Sequence, residues 1–119
     1  MTENRNSKPY DLEERTLKFA QGVIGLTKAV PRSIANDEIT KQVVRSSGSV
    51  GANYIEANES LSRKDFALRI KICRQEAKES RYWLSLIEAG EQAEKTRQLS
   101  LREAIELTKI FGSIVEKAG

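Results

Sequence analysis

The chain has 119 residues, enough for one domain with a modest core, and its 20 Lys and Arg against 17 Asp and Glu leave a formal charge of +3. That balance admits a nucleic-acid partner without demanding one. There is no histidine, so the commonest general base near neutral pH and the commonest metal ligand are both missing, which argues against an enzyme or a metalloprotein.

Charged residues make up 31% of the chain and aromatic ones 6%, a balance closer to helical bundles than to sheet proteins. Residues 1–10 are polar and lack the apolar centre of a secretory signal, and nowhere does the chain approach the roughly 18 apolar residues of a membrane span. A flexible tail over 1–10, a single domain over 11–119, cytoplasmic residence and no membrane contact are the expectations.

Asp11 with Glu14 three residues on predicts the start of a first helix. Its core stripe is Leu12, Phe19, Val23, Leu26 and Val30, a second stripe is Leu17, Ala20 and Ile24, and Pro31 stops it. After a loop through Arg32 to Ala35, Asn36 or Asp37 is expected to cap a second helix that carries Ile39, Val43, Val50 and Tyr54 and ends near Glu59. Between Arg45 and Asn53 it is crowded with Ser46, Ser47, Gly48, Ser49, Gly51 and Ala52, mostly weak helix formers that leave room for a neighbouring backbone.

Ser62 and Asp65 open a third helix. There Phe66, Ile70, Cys73, Ala77, Ser80, Leu84 and Ile87 recur at alternating steps of four and three, the mark of a helix packed along its length. The lone Cys73 lies on that stripe and reads as a small buried hydrophobe rather than a nucleophile or disulfide partner. This helix is expected to run to about Ala89, with Gly90 as a left-handed cap. A polar link from Glu91 to Leu99 then precedes a Ser100–Glu103 capping box and a fourth helix lined by Leu101, Ala104, Ile105, Leu107, Thr108, Phe111, Ile114 and Val115. Short links make neighbours antiparallel, so the fold class is all-α, an up-and-down four-helix bundle.

Two helices carry more apolar surface than one core uses. On the third, Leu68, Ile72, Trp83 and Leu86 lie away from the main stripe; on the second, Val44, Ser47, Gly51 and Ile55 do. Self-association is the expected outlet. The polar row Arg45, Ser49, Asn53 and Glu56 lies beside the core stripe, where mutual hydrogen bonding can select one register of association. The interface candidates are Arg45, Ser47, Gly51, Asn53, Ile55, Glu56, Ile72, Glu76, Glu79 and Trp83. Lys64, Lys71, Arg74, Lys78 and Arg81 fall along one side of the third helix, with Asp65, Glu76 and Glu79 on another. Those cations can orient a head-to-tail ring, collect phosphates or stand as a solvated face. Glu56, Glu59, Glu76 and Glu79 read as acidic surface or partners of Arg45, Arg74 and Arg81 rather than metal ligands. Gly48 and Gly51 lack the spacing and Lys of a phosphate loop. No cofactor is expected.

The run QVVRSSGSVGANYIEA from Gln42 to Ala57, then SRKDFALRIKICRQEAKESRYWLSLI from Ser62 to Ile87, with LTKAVP from Leu26 to Pro31, resembles the four-helix bundle family of 23S ribosomal RNA intervening-sequence proteins. The resemblance covers about residues 11 to 115. It implies a bacterial bundle that assembles into a ring, typically a homopentamer. Members are similar to the accessory protein of diversity-generating retroelements, a basic pentameric barrel that partners a reverse transcriptase and nucleic acid; this chain is much less basic. The function implied is a non-enzymatic oligomer that binds RNA or DNA weakly through phosphates or serves a reverse-transcriptase-like enzyme. The alternative is an oligomeric scaffold for a protein partner with no nucleic-acid binding.

Overall fold

The Asp11 side chain accepts the amide of Glu14 at 3.4 Å, satisfying one of the donors a helix start leaves open. From there a computed structural model describes residues 11–118, so the tail expected over 1–10 lies outside the described residues. Four helices follow, α1 (Leu12–Ala29), α2 (Ile34–Asn58), α3 (Arg63–Leu86) and α4 (Gly90–Ala118). Among the described residues there is no strand.

Two helix starts differ from expectation. Ser33, not Asn36 or Asp37, caps α2, its hydroxyl accepting the Asn36 amide at 2.9 Å. Asn36 is instead buried within α2, where its amide nitrogen donates to Pro31 O and Glu88 O, both at 2.8 Å, and its oxygen accepts from Glu88 N at 3.1 Å. One side chain thus joins the turn after α1 to the turn after α3. The second difference is larger, since residues 91–99 belong to α4 instead of forming a link. That polar stretch is made mostly of good helix formers and is held from the side. Ala93 is buried, Arg97 donates to Leu84 O at 3.0 Å, and Arg97 and Gln98 hold the Glu94 carboxyl down to about 2. Ser100 is accordingly mid-helix and buried, and Glu103 pairs with Arg15 at 2.6 Å rather than closing a cap. Helix α3 stops at Leu86, and Gly90 does take the left-handed conformation, φ +74°, but opens α4.

Each helix packs on its chain neighbours, and α1 closes against α4; across the diagonal the backbones stay apart and large side chains such as Tyr54 and Phe111 meet in the centre. Ser46 meets Ser80 whereas Asn53 meets Arg69, and Arg97 meets Leu84 whereas Gly112 meets Arg74, so residue numbers rise on one helix as they fall on the next. This is the antiparallel up-and-down bundle. Val23, Leu26, Val43, Val50, Ile70, Leu84, Leu107 and Phe111 fill its centre, with Tyr54 tilted against Phe111 at 5.9 Å between ring centroids. Cys73 lies fully inside, and burial pushes its thiol up to about 12, which leaves it without thiolate character at neutral pH.

The small-residue stretch of α2 has a definite neighbour. A Cβ on Gly51 would stand 2.9 Å from Thr16 Oγ1 and 3.2 Å from Thr16 Cβ. Thr16 is itself buried and anchored to Leu12 O at 2.6 Å, so it has no room to retreat. By contrast, a Cβ on Gly48 meets nothing within 4 Å. Gly51→Ala is therefore expected to cost about 1 to 3 kcal/mol through overpacking, whereas Gly48→Ala gains about 0.5 to 1 kcal/mol by restricting the unfolded chain and favouring helix. Urea midpoints of the two variants, moving in opposite directions from the parent, check the pair.

Candidate nucleic-acid interface

One side of α3 is tied to α2 by polar contacts. The hydroxyls of Ser46 and Ser80 stand 2.8 Å apart in the buried seam, and Arg69 donates to Asn53 Oδ1 at 3.0 Å. Arg45 reaches both Glu76, at 3.4 Å, and Glu79, which also accepts the Trp83 indole at 3.0 Å. That indole bond first, and Arg45 next, hold the Glu79 carboxyl below its ordinary 4.5, against the opposing effect of burial.

Five of the residues expected at an interface between chains, Arg45, Asn53, Glu76, Glu79 and Trp83, are therefore brought together inside one subunit. The polar row of α2 does not bond side chain to side chain: Ser49 donates to Arg45 O and Asn53 to Ser49 O, both at 2.9 Å. Ser47 is only 1% exposed, so its surface is already used within the subunit, and the close approach at Gly51 is to α1. Ile72 is half-buried, and Ile55 and Glu56 are exposed. The acidic row is thus half consumed by Arg45, while Arg74 and Arg81, also considered as its partners, lie elsewhere. Among the described residues no three acidic or thiol groups are grouped as a metal would require.

The other flank of α3 has the opposite character. Lys64, Lys71, Arg74, Lys78 and Arg81 are all exposed, and among the described residues none enters an ion pair. The contrast lies in how other cations are used: Arg15 holds Glu103, Arg32 holds Asp37, Arg97 holds Glu94 and Lys109 holds Glu106. Arg74 runs beside Gly112 of α4, its Nε 3.5 Å from where a Cβ would stand.

Two residues join this surface that sequence reasoning passed over. Arg63, the first residue of α3, lines a shallow hollow of about 570 Å³ with Lys64, Asp65, Ala67, Leu68, Lys71 and Ala118 of α4. Tyr82 is 59% exposed on the same outer strip. The signal for Tyr82 was present as the row Lys64, Leu68, Lys71, Gln75, Lys78 and Tyr82, whose steps of four and three keep one face.

The fold and surface together define a small antiparallel helical bundle whose α3 carries a basic flank without ion pairs among the described residues. The family model described as "23S rRNA-intervening sequence protein" matches residues 9–112, and the chain belongs to that family. It is similar to a solved protein of unknown function from the S23 ribosomal protein family of Bacteroides thetaiotaomicron, at 30% identity and a TM-score of 0.72. The match covers 87% of this chain and 96% of that one. No curated protein matches the chain.

The Arg45–Glu79–Trp83 network carries a pH signature. Because the folded carboxyl of Glu79 lies below 4.5, the unfolded chain takes up the proton first, so the stabilisation is present above 4.5 and is lost as pH falls through the lowered value. The urea midpoint should fall between about pH 5 and about pH 3, and less so in Glu79→Gln, which has no proton to take up there. Equal pH dependence in both proteins would remove Glu79 from the account.

Proposed function

We propose that this protein is a self-assembling, non-enzymatic helical bundle that holds nucleic acid by its phosphates along α3. The observation that carries the reading is the row of five exposed cations, Lys64, Lys71, Arg74, Lys78 and Arg81, without an acidic partner among the described residues. Cations kept solvated and unpaired on one rigid helix favour a polyanion, since displaced counterions supply the affinity and no internal pair has to be broken first. The family's likeness to an accessory protein of a reverse transcriptase supports the same reading, with such an enzyme as a second partner.

Self-assembly rests on a separate feature. Leu17 and Ile24 of α1, Val44 and Ile55 of α2 and Leu68 and Leu86 of α3 are exposed large apolar residues, and burying such residues against another copy removes that cost. A closed ring, five subunits being the count the family resemblance favours, repeats the +3 charge of each chain around one assembly, so weak phosphate contacts add by avidity.

Replacing Lys71, Arg74 and Lys78 together by Glu is expected to abolish binding to RNA and DNA at low salt, with helix content and light-scattering mass unchanged. In the parent, log affinity should fall linearly with log salt, by about 0.7 for each single-strand phosphate contact. A parent that binds neither nucleic acid at low salt overturns the reading. A triple variant that loses its mass instead shows the row to be a subunit contact and leaves the protein-scaffold alternative.

A further inference from the structure

We infer that the basic flank takes single-stranded nucleic acid in preference to duplex, with an unpaired base stacked on Tyr82 while Lys71 and Lys78 hold neighbouring phosphates. This rests on the phosphate-binding reading above and adds to it the form of the strand.

Tyr82 is the most exposed aromatic ring among the described residues, at 59%. It stands one turn, about 6 Å along the axis, beyond Lys78 on a common strip. Gln75 continues the strip between Lys71 and Lys78 and supplies an amide for a base edge.

The ring is also held in place. Tyr82 and Trp83 meet edge to face, with centroids 5.1 Å apart and planes at 71°. The Trp83 indole is fixed in turn by its hydrogen bond to Glu79 at 3.0 Å, and Glu79 by Arg45. In such a pair Trp83 occupies at most one face of the tyrosine ring. At least one face stays open to solvent, propped by a neighbour with little freedom to move. That is what base stacking needs: a planar surface whose ordering is done before the ligand arrives.

The form of the strand follows from what each nucleic acid offers. In a duplex the bases are already stacked and paired, so Tyr82 gains nothing there and only the lysines act. In a single strand an unpaired base can lie on the open ring face while its phosphates stay on the basic row. Phosphate contacts alone favour the duplex, whose denser charge releases more counterions per contact, so a preference for the single strand has to come from the ring.

Anisotropy titrations of the full chain at low salt, with labelled oligothymidine and a hairpin duplex carrying the same number of phosphates, test this. The parent and Tyr82→Phe should bind the single strand more tightly, whereas Tyr82→Ala, with unchanged helix content, should bind it about five- to a hundred-fold more weakly than the parent and no better than duplex. Emission from Trp83, the chain's one tryptophan, should change on adding the single strand and not on adding duplex. Equal affinity of the parent for both strands, with Tyr82→Ala binding like the parent, overturns the stacking while leaving phosphate binding intact. Absence of binding to either strand by the parent overturns both readings. A change of mass in Tyr82→Ala with unaltered binding assigns the ring to a subunit contact and overturns the stacking.

Discussion

The rotation of α3 about its own axis is the constraint on which the functional surface depends. At about 100° per residue, a small roll of this helix would carry its lysines into the core or its apolar stripe into water. The rotation is fixed from the inside by Ile70, Cys73, Ala77 and Leu84, all fully buried. It is fixed from the side by directional bonds to α2, where Ser80 meets Ser46, Arg69 meets Asn53, and Glu76 and Glu79 share Arg45. Burial alone tolerates some sliding; the buried Ser46–Ser80 bond and the part-buried Arg69–Asn53 bond do not, because a broken one leaves a desolvated group without a partner, while the exposed Arg45 pairs add little. The Asn36 amide adds a longer-range tie. By bonding Pro31 and Glu88 across the end of the bundle, it sets how the α1–α2 hairpin sits on the α3–α4 hairpin.

Charge is then distributed unevenly around this fixed frame. A net charge of +3 describes the whole chain poorly, because Glu76 and Glu79 of α3 are engaged by Arg45 on the α2 side, whereas Lys71, Arg74, Lys78 and Arg81 on its other flank enter no ion pair among the described residues. Net charge sets solubility and long-range attraction, but the local unpaired row sets where a polyanion settles. Exposed large apolar residues lie on α1 and α2 and also, at Leu68 and Leu86, on α3 itself.

Much of this was legible in the chain itself. Asp11, Pro31 and Ser62 mark boundaries by local chemistry, and the stripe from Phe66 to Ile87 gives the buried face of α3 because one period holds over six turns. The start of α2 was ambiguous for a physical reason: Ser33, Asn36 and Asp37 are all good caps, and what decides among them is a tertiary use of Asn36 that no local rule contains. The stretch 91–99 looked like a link because it has a single buried residue, Ala93, although its helix propensity pointed the other way. The interface candidates are ambiguous in another way. Polarity beside an apolar stripe signals a seam, and the pattern does not say whether the partner helix belongs to the same chain; Arg45, Asn53, Glu76, Glu79 and Trp83 all find partners within their own chain.

The proposed site for nucleic acid is the basic flank of α3. Residue-resolved amide chemical-shift mapping of the isotope-labelled protein, titrated with oligothymidine at low salt, addresses that directly. The expected result is a continuous set of perturbed amides along α3 from about Arg63 to about Tyr82 and on the adjoining surface of α4 near Gly112, with α1 unaffected. Perturbation centred on the exposed residues of α1 and α2, or none at saturating strand, would contradict it.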